Sequence, residues 1–522
     1  MLTEVKMVTR EYEGIAGAGG VKDVVQQLSE ALVKTGIKVK VFMPRYGFVN
    51  GEAKGFALTD VNFEIDMNYA HEERREKVSF WHNSINNVDV FLIEAERFAE
   101  KRGVYTYTAE DEKLNPMHRK GEGHFDYFAM NVLLQKAAIL YDLWFGSKTP
   151  LFHCHDGHAA ILPALIHELD GLRQFFKKSS SLITIHNAGI GYHQDVRDLP
   201  FAKAITGLPW KVINSSLLNG SFDPFLAGAQ YGPINTVSEN YARELQETDI
   251  DATTGWLGHA LKSRGIKIEG ITNGIDPKKY DPTQPEKLGL PAGFDPLHGD
   301  MKGKQVCKQE LLKRIKDKDT GDCICYGTIN RDIGLPIITS ISRLTEQKGM
   351  DCFAQALIQM FDEKEDFVCI VMGSGAPEIE AQLKAVAENP NAQGRMALLL
   401  GYDEKMANLV YAAGDFFVIP SRYEPCGLTD FIAQLFANLP VVRETGGLVK
   451  VKDGFNGFTY KEFSPFALKN ALYRAVRIWK ENLDFIEQMQ KNGIMNIYKN
   501  YTWDKVVKKY IRLYEKAVNM RK

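Results

Sequence analysis

The sequence carries almost no net charge: 64 Lys and Arg stand against 66 Asp and Glu over 522 residues, a formal balance of −2. A nucleic-acid coat or an acidic tail needs a strong excess of one sign, so neither is the main business of the chain. No run of about 18 apolar residues occurs, which leaves no membrane-spanning helix to expect. The opening MLTEVKMVTREYEG has charges at Glu4, Lys6, Arg10 and Glu11 where a secretory signal has an apolar core. Cysteine is scarce, seven in all and scattered, as Cys154, Cys307, Cys323, Cys325, Cys352, Cys369 and Cys426. That odd, unpatterned set argues for a reducing cytoplasm and against a secreted disulfide framework. A plastid is the second choice, should the source be a plant or an alga and the chain mature. Repeats of solenoid length and low-complexity tracts are also missing. What is present is 44% hydrophobic and 25% charged, an ordinary globular composition. Single cores stop growing at about 250–300 residues, so two large ones are expected.

Two distant segments share one grammar. VKMVTR reads as a buried strand and GIAGAGG as a glycine-rich turn. Val21, Val24, Val25, Leu28 and Leu32 then follow helical spacing until Gly36, and IKVKVFMP resumes a strand. Downstream, PIITSIS reads as a strand and RLTEQKG as a polar turn. Met350, Phe353, Ala354, Leu357, Ile358 and Phe361 mark a helix face, and DFVCIVMGSG is the next strand. Both are βαβ units, which need parallel sheets covered by helices. The expected fold is α/β, with doubly wound Rossmann-like domains at residues 1–270 and 271–500. The Pro-, Gly- and Asp-dense stretch 271–300 reads as the link between them. In residues 501–522, Trp503, Val506, Val507, Tyr510, Ile511 and Tyr514 keep helical spacing behind Thr502 as N-cap, and this helix is expected to pack back on the first domain. Residues 97–123, rich in both charges, read as an exposed insertion or lid.

Several clusters carry chemistry. The turn Gly17-Ala18-Gly19-Gly20 between strand and helix suits close approach of a phosphate to backbone amides. Arg343 and Lys348, five residues apart in a strand-to-helix turn, are placed to flank a pyrophosphate and offset its growing charge. Pro425 and Gly427 sharpen the turn after the strand DFFVIPS, at a carboxyl end where open α/β sheets bind ligands, and Glu424 is expected to face the crevice. His153, His155 and His158 beside Asp156 form the strongest metal-like cluster, with packed histidines as the commoner outcome. His186-Asn187 closes another buried strand.

In order and spacing, GAGGVKDV (17–24), HCHDGH (153–158), ITIHN (183–187), NTVSENYAREL (235–245), TNGID (272–276), SRLTEQKGMD (342–351), GDFFVIPSRYEPCGL (414–428) and ETGGL (444–448) resemble the glycogen synthase and starch synthase family of bacteria and plants. The resemblance implies a GT-B fold, two Rossmann-like domains facing across a deep cleft that closes to exclude water. The N-terminal domain would take the glucan and the C-terminal one the nucleotide sugar. It implies retaining transfer of glucose from ADP-glucose, with UDP-glucose as second choice, to the 4-OH at the non-reducing end of an α-1,4-glucan. No metal, cofactor, nucleic acid or membrane is implied. Carried over, Arg343 and Lys348 hold the distal donor phosphate, Glu424 meets the glucosyl ring, and His186 and Asp156 contact the donor sugar. Gly19 and Gly20 line the donor, as do Cys426, Gly427, Leu428 and Thr429, and Tyr402 stacks on the base. Glu11, Asp23, Asp126, Asn187 and Asn273 are further matched positions.

Departures from the family's pattern fall at Gly17, where a lysine is usual, and at Gly157, where a tryptophan is. Ala188–Tyr192 replaces Leu-Ala-Tyr-Gln-Gly, and Asp430 replaces a glutamine. They leave three alternatives beside the synthase: an idle glucan-binding protein of this fold, a related glycosyltransferase with another donor or acceptor, and a metal hydrolase on His153 and His155.

Overall fold

The computed structural model describes residues 2–146, 150–330 and 334–521. It divides into two compact units, one running to Gly274 and taking back the chain from Trp503, the other Ile275–Thr502. Among the described residues no helix is long and apolar enough to cross a membrane.

The sheet of the first unit contains β1 (Glu4–Val8), β2 (Lys38–Pro44), β3 (Ala57–Asp66), β4 (Arg75–Ile85), β5 (Val88–Glu94), β6 (Leu151–His155), β7 (Ser180–Ile185), β8 (Ile234–Thr236) and β9 (Ile268–Gly270). Their spatial order is β9-β8-β7-β6-β1-β2-β5-β4-β3. Neighbours from β9 to β5 run parallel, and β4 and β3 add an antiparallel ribbon. Strands β6 and β7 are buried throughout, as a sheet covered on both faces requires. Helix α1 (Val21–Lys34) buries Val24, Val25, Leu28 and Leu32, and Gly36 ends it at φ +90°. Helix α2 (Tyr127–Phe145) is apolar nearly all round and lies deep. Its buried Asp142 pairs with Lys6 of β1, so each charge is answered inside the core.

The C-terminal helix Trp503–Asn519 belongs to this unit and buries Trp503, Val506, Val507, Tyr510, Leu513, Tyr514 and Ala517. Leu513 takes the inward place expected of Ile511. Thr502 does not cap it by side chain; its hydroxyl is buried without a hydrogen bond among the described residues. Within 97–123, a capping box between Thr108 and Asp111 starts the helix Ala109–Leu114, while Leu114 and Met117 stay exposed.

The second unit contains β10 (Ile324–Ile329), β11 (Ile337–Ile341), β12 (Val368–Gly373), β13 (Arg395–Leu400), β14 (Phe416–Ile419), β15 (Leu439–Arg443) and β16 (Phe458–Tyr460), ordered β10-β13-β12-β11-β14-β15-β16. All pairs are parallel except β10 with β13. Helix α3 (Met350–Asp362) buries Met350, Phe353, Leu357 and Phe361 but leaves Ile358 exposed. Helix α4 (Thr429–Leu435) follows β14. The stretch 271–300 is not a free link. From Ile275 it belongs to this unit, and Leu288, Leu290 and Phe294 join its core. A run without periodicity still packs when single apolar side chains reach a neighbouring core.

Both sheets reverse their winding at one place, between β1 and β6 in the first and between β11 and β14 in the second. Crossovers leave in opposite directions there and open a crevice at the carboxyl ends. Some of the expected site residues stand at these two points, among them Glu11, Asp156 and His186 in the first unit and Lys348 and Glu424 in the second.

Candidate active site

In the first unit, β1, β6 and β7 end side by side. His155, the last residue of β6, lies with Nδ1 3.0 Å from His186 Nε2 just beyond β7. Its ring centre lies 4.1 Å from that of His153, the two planes tilted by 35°. His153 bonds Thr184 Oγ1 through Nε2 at 2.7 Å and the Tyr514 hydroxyl through Nδ1 at 2.9 Å. A buried chain of contacts thus runs from the C-terminal helix to His186. Burial pushes His186 down to about 3, and it pushes His153, His155 and His158 the same way, aided by the neighbouring histidines and, at His158, first by Arg10. The imidazoles are neutral near pH 7. Among the described residues no group of three or more His, Cys, Asp and Glu is arranged to hold a metal ion, so the metal-hydrolase reading of His153 and His155 has no ligand set.

Asp156 follows β6 in left-handed backbone, φ +57°. Its Oδ1 accepts the amides of His186 at 2.6 Å and Asn187 at 3.4 Å, which ties the ends of β6 and β7 together. Burial outweighs these bonds and pushes its carboxyl up to about 7. Because the folded chain keeps a proton that the unfolded chain releases from pH 3.8 upward, this group's stabilising contribution is full below pH 3.8 and is lost as pH rises to about 7. Asp156→Asn still offers an oxygen to both amides and has nothing to titrate. Its melting temperature relative to the wild type is therefore expected to climb between pH 4 and 7. A difference that stays constant in thermal melts across that window would refute the raised carboxyl.

The glycine turn has an occupant. Glu11 Oε2 accepts the amides of Ala18 at 2.7 Å and Gly19 at 3.1 Å, and its Oε1 accepts the Tyr105 hydroxyl. The peptide groups read as a phosphate seat hold a carboxylate of the same unit, while Gly20 begins α1. The stem of Lys22 lies across Gly17, where a side chain at position 17 would have to go. Its ammonium pairs with Glu13 and with Asp23 in the first turn of α1. Asp126 sits beside α2 between Arg97 and Lys101 at 2.7 and 2.9 Å; burial would raise its carboxyl, but these cations hold it below the usual range. Asn187 Oδ1 accepts the Gly189 amide, and Asn273 is buried.

Two departures from the family pattern, Gly157 and Ala188–Tyr192, meet in the structure. A Cβ on Gly157 would collide with the carbonyl of His193 and crowd that of Tyr192, so the backbone that follows Ala188 leaves no room for a side chain at position 157. His193 locks that course by bonding the Ala188 carbonyl at 2.8 Å and Asp223 at 2.7 Å.

In the second unit, residues 342–349 follow β11 and residues 420–428 follow β14. Gly349 has φ +67°, and any Cβ there would strike the Pro420 carbonyl, so the two loops meet on glycine. Lys348 Nζ lies 2.7 Å from Glu424 Oε2, which also accepts the Ser421 hydroxyl at 2.9 Å. Burial would raise Glu424, but Lys348 and Ser421 hold it below the usual carboxylate range, so it is ionised. Arg343 is exposed at the end of β11, and Tyr402 is 65% exposed just past β13. The turn through Cys426 to Thr429 uses Gly427 at φ +70° and enters α4.

Structure therefore gathers His186, Asp156, Asn187, Glu11 and Gly19 at one switch point, and Lys348, Glu424 and residues 426–429 at the other. Asp126 and Asp23 are held in ion pairs of the first unit. Sequence reasoning missed Ser421, Tyr105, Tyr514 and the use of His155 to hold His186. Only Ser421, inside the PSRYEP turn, gave any local signal.

Two family models match the chain: residues 4–263 match the starch synthase catalytic domain, and residues 335–477 match the group 1 glycosyl transferases. With two doubly wound units of this topology, the chain is a glycosyltransferase of GT-B fold. Curated glycogen synthases from Syntrophotalea carbinolica and Thermodesulfovibrio yellowstonii are 28% and 29% identical, over 99% of this chain and 99% and 98% of theirs. Among solved structures, the catalytic domain of starch synthase IV from Arabidopsis thaliana, bound to ADP and acarbose, superposes with a TM-score of 0.80 at 23% identity, covering 99% of each chain. A sucrose-phosphate synthase from Thermosynechococcus elongatus shares the fold at a TM-score of 0.59 and 14% identity. The chain belongs to the glycogen synthase and starch synthase family.

Proposed function

We propose that the chain lengthens an α-1,4-glucan, transferring glucose from ADP-glucose in preference to UDP-glucose to the 4-OH at the non-reducing end with retention at the anomeric carbon. The second unit binds the donor and the first presents the glucan. Breaking the glycosyl–phosphate bond leaves positive charge on the sugar and negative charge on the nucleotide. The observation that carries the reading is the Lys348–Glu424 pair at the second switch point, a half-buried ammonium for the diphosphate and a buried, ionised carboxylate for the sugar, 2.7 Å apart. Arg343 adds a second cation to the diphosphate, and Tyr402 offers a ring to the base. In the first unit His186 is neutral, a ring that offers hydrogen bonds without a positive charge. The Arabidopsis relative, solved with ADP, supports an adenine nucleotide.

A panel of ADP-, UDP- and GDP-glucose with a maltooligosaccharide primer tests this, read as nucleotide release and chain growth. Growth should be fastest with ADP-glucose and persist in EDTA. Glucan binding without incorporation from any donor would refute the reading, as would loss of activity in EDTA restored by a metal.

A further inference from the structure

Behind the turn that carries Glu424 lies a second, fully buried charge pair. Lys450 Nζ donates to the carbonyl oxygens of Cys426 and Gly427, each at 2.6 Å, and of Gly447 at 3.1 Å. It also lies 2.9 Å from Asp430 Oδ1 in the first turn of α4, and 4.5 Å from the centre of the Phe431 ring. Both side chains are at most 4% exposed. Neither is a surface ion pair of marginal worth, and an ammonium buried this deeply persists only when its donors are satisfied.

The arrangement has a direction. The peptides are trans, so each N–H points opposite its own C=O. By drawing in the carbonyls of Cys426 and Gly427, Lys450 turns the N–H groups of Gly427 and Leu428 away from itself. The segment 445–448 packs against the same turn. Gly447 N donates to the Glu424 carbonyl at 2.9 Å, and a Cβ on Gly446 or Gly447 would collide with the carbonyls of Glu424 or Cys426. The turn is therefore held from behind by backbone contact on two glycines and by one ammonium that gathers three carbonyls.

We infer that Lys450, balanced by Asp430, is a positioning residue that holds the Glu424–Leu428 turn in its donor-binding shape; this rests on the assignment of that turn to the nucleotide sugar. Lys450, 4% exposed, has almost no surface to offer a substrate. It acts by fixing the direction of two peptide groups and the base of the Glu424 side chain.

Three variants test it, each assayed for donor kcat/KM, glucan KM and melting temperature. Lys450→Met frees the carbonyls and is expected to lower kcat/KM for ADP-glucose by about 100-fold, the size of effect a misplacement of about 1 Å produces, with glucan KM unchanged. Asp430→Asn leaves Lys450 its three carbonyls and is expected to stay within a few-fold of wild type. The double variant Asp430→Asn/Lys450→Met removes the stranded charge, so its melting temperature should recover while the donor defect remains. Recovery of activity together with stability would overturn the positioning role, as would wild-type donor kcat/KM in Lys450→Met. A double variant that does not fold would overturn it too, because the pair would then be a folding element. Wild-type protein that turns over no nucleotide sugar refutes the donor assignment itself, and with it this role; Arg343→Ala losing activity while Lys450→Met keeps it refutes the inference alone.

Discussion

Lys348→Ala is expected to lower turnover with ADP-glucose by about 10²–10³-fold, the cost of about 2.7–4 kcal/mol that follows loss of one preorganised charge-stabilising group. The variant loses more than a cation. Glu424 is buried and is kept ionised by this ammonium before any other group. Without it, burial raises the carboxyl, and the acid limb of the activity profile should move to higher pH. The Ser421 hydroxyl remains, so part of the carboxylate's support survives. If the two residues act as a unit, Lys348→Ala and Glu424→Gln together should cost little more than the worse of the two alone. Incorporation of labelled glucose into a primed glucan measures all three variants. Wild-type turnover in Lys348→Ala, or strictly additive losses in the double variant, would refute the shared role. Arg343→Ala should fall in the same range through the diphosphate.

Removal of residues 503–522 is expected to abolish the cooperative melting of the first unit. The helix buries seven side chains there. A large apolar side chain contributes about 1.5–3 kcal/mol on burial. The sum is on the order of 10 kcal/mol, comparable to the about 5–15 kcal/mol that holds a whole domain folded. Specific bonds go with it: Trp503 Nε1 to Gln27 at 2.6 Å, Lys509 to Glu239 at 2.8 Å, and Tyr514 to His153. His153 packs on His155, which in turn bonds His186, so activity should disappear even where some fold survives. Calorimetry should show the transition of the second unit alone. A truncated chain that melts as the full chain does would refute the helix's place in the first core.

Much of this protein was legible from local pattern. Periodicity near 3.6 picked out α1 and α3, short runs rich in apolar and β-branched residues picked out β1, β11 and β14, and glycine placed turns at their carboxyl ends. The α/β class and the family followed from those words in their order. Pattern failed where one apolar residue was asked to choose a side: Ile358 and Ile511 fit the helical period, yet Ile358 faces water and Leu513 takes the inward place. It failed in 271–300 because that stretch packs by isolated side chains, Leu288, Leu290 and Phe294, which carry no period.

The chain's own order of residues determined that there would be two parallel sheets and that charged loops would stand at their reversal points, since strand, helix and turn preferences act over neighbouring residues. Tertiary structure alone decided which polar groups meet there. Glu11 fills the glycine turn with help from Tyr105, 94 residues away, His153 is held by Tyr514 across 361 residues, and Lys450 reaches back 24 residues to the Cys426 carbonyl. Such partners are set by which segments the packed core brings within about 3 Å, a distance no local pattern encodes.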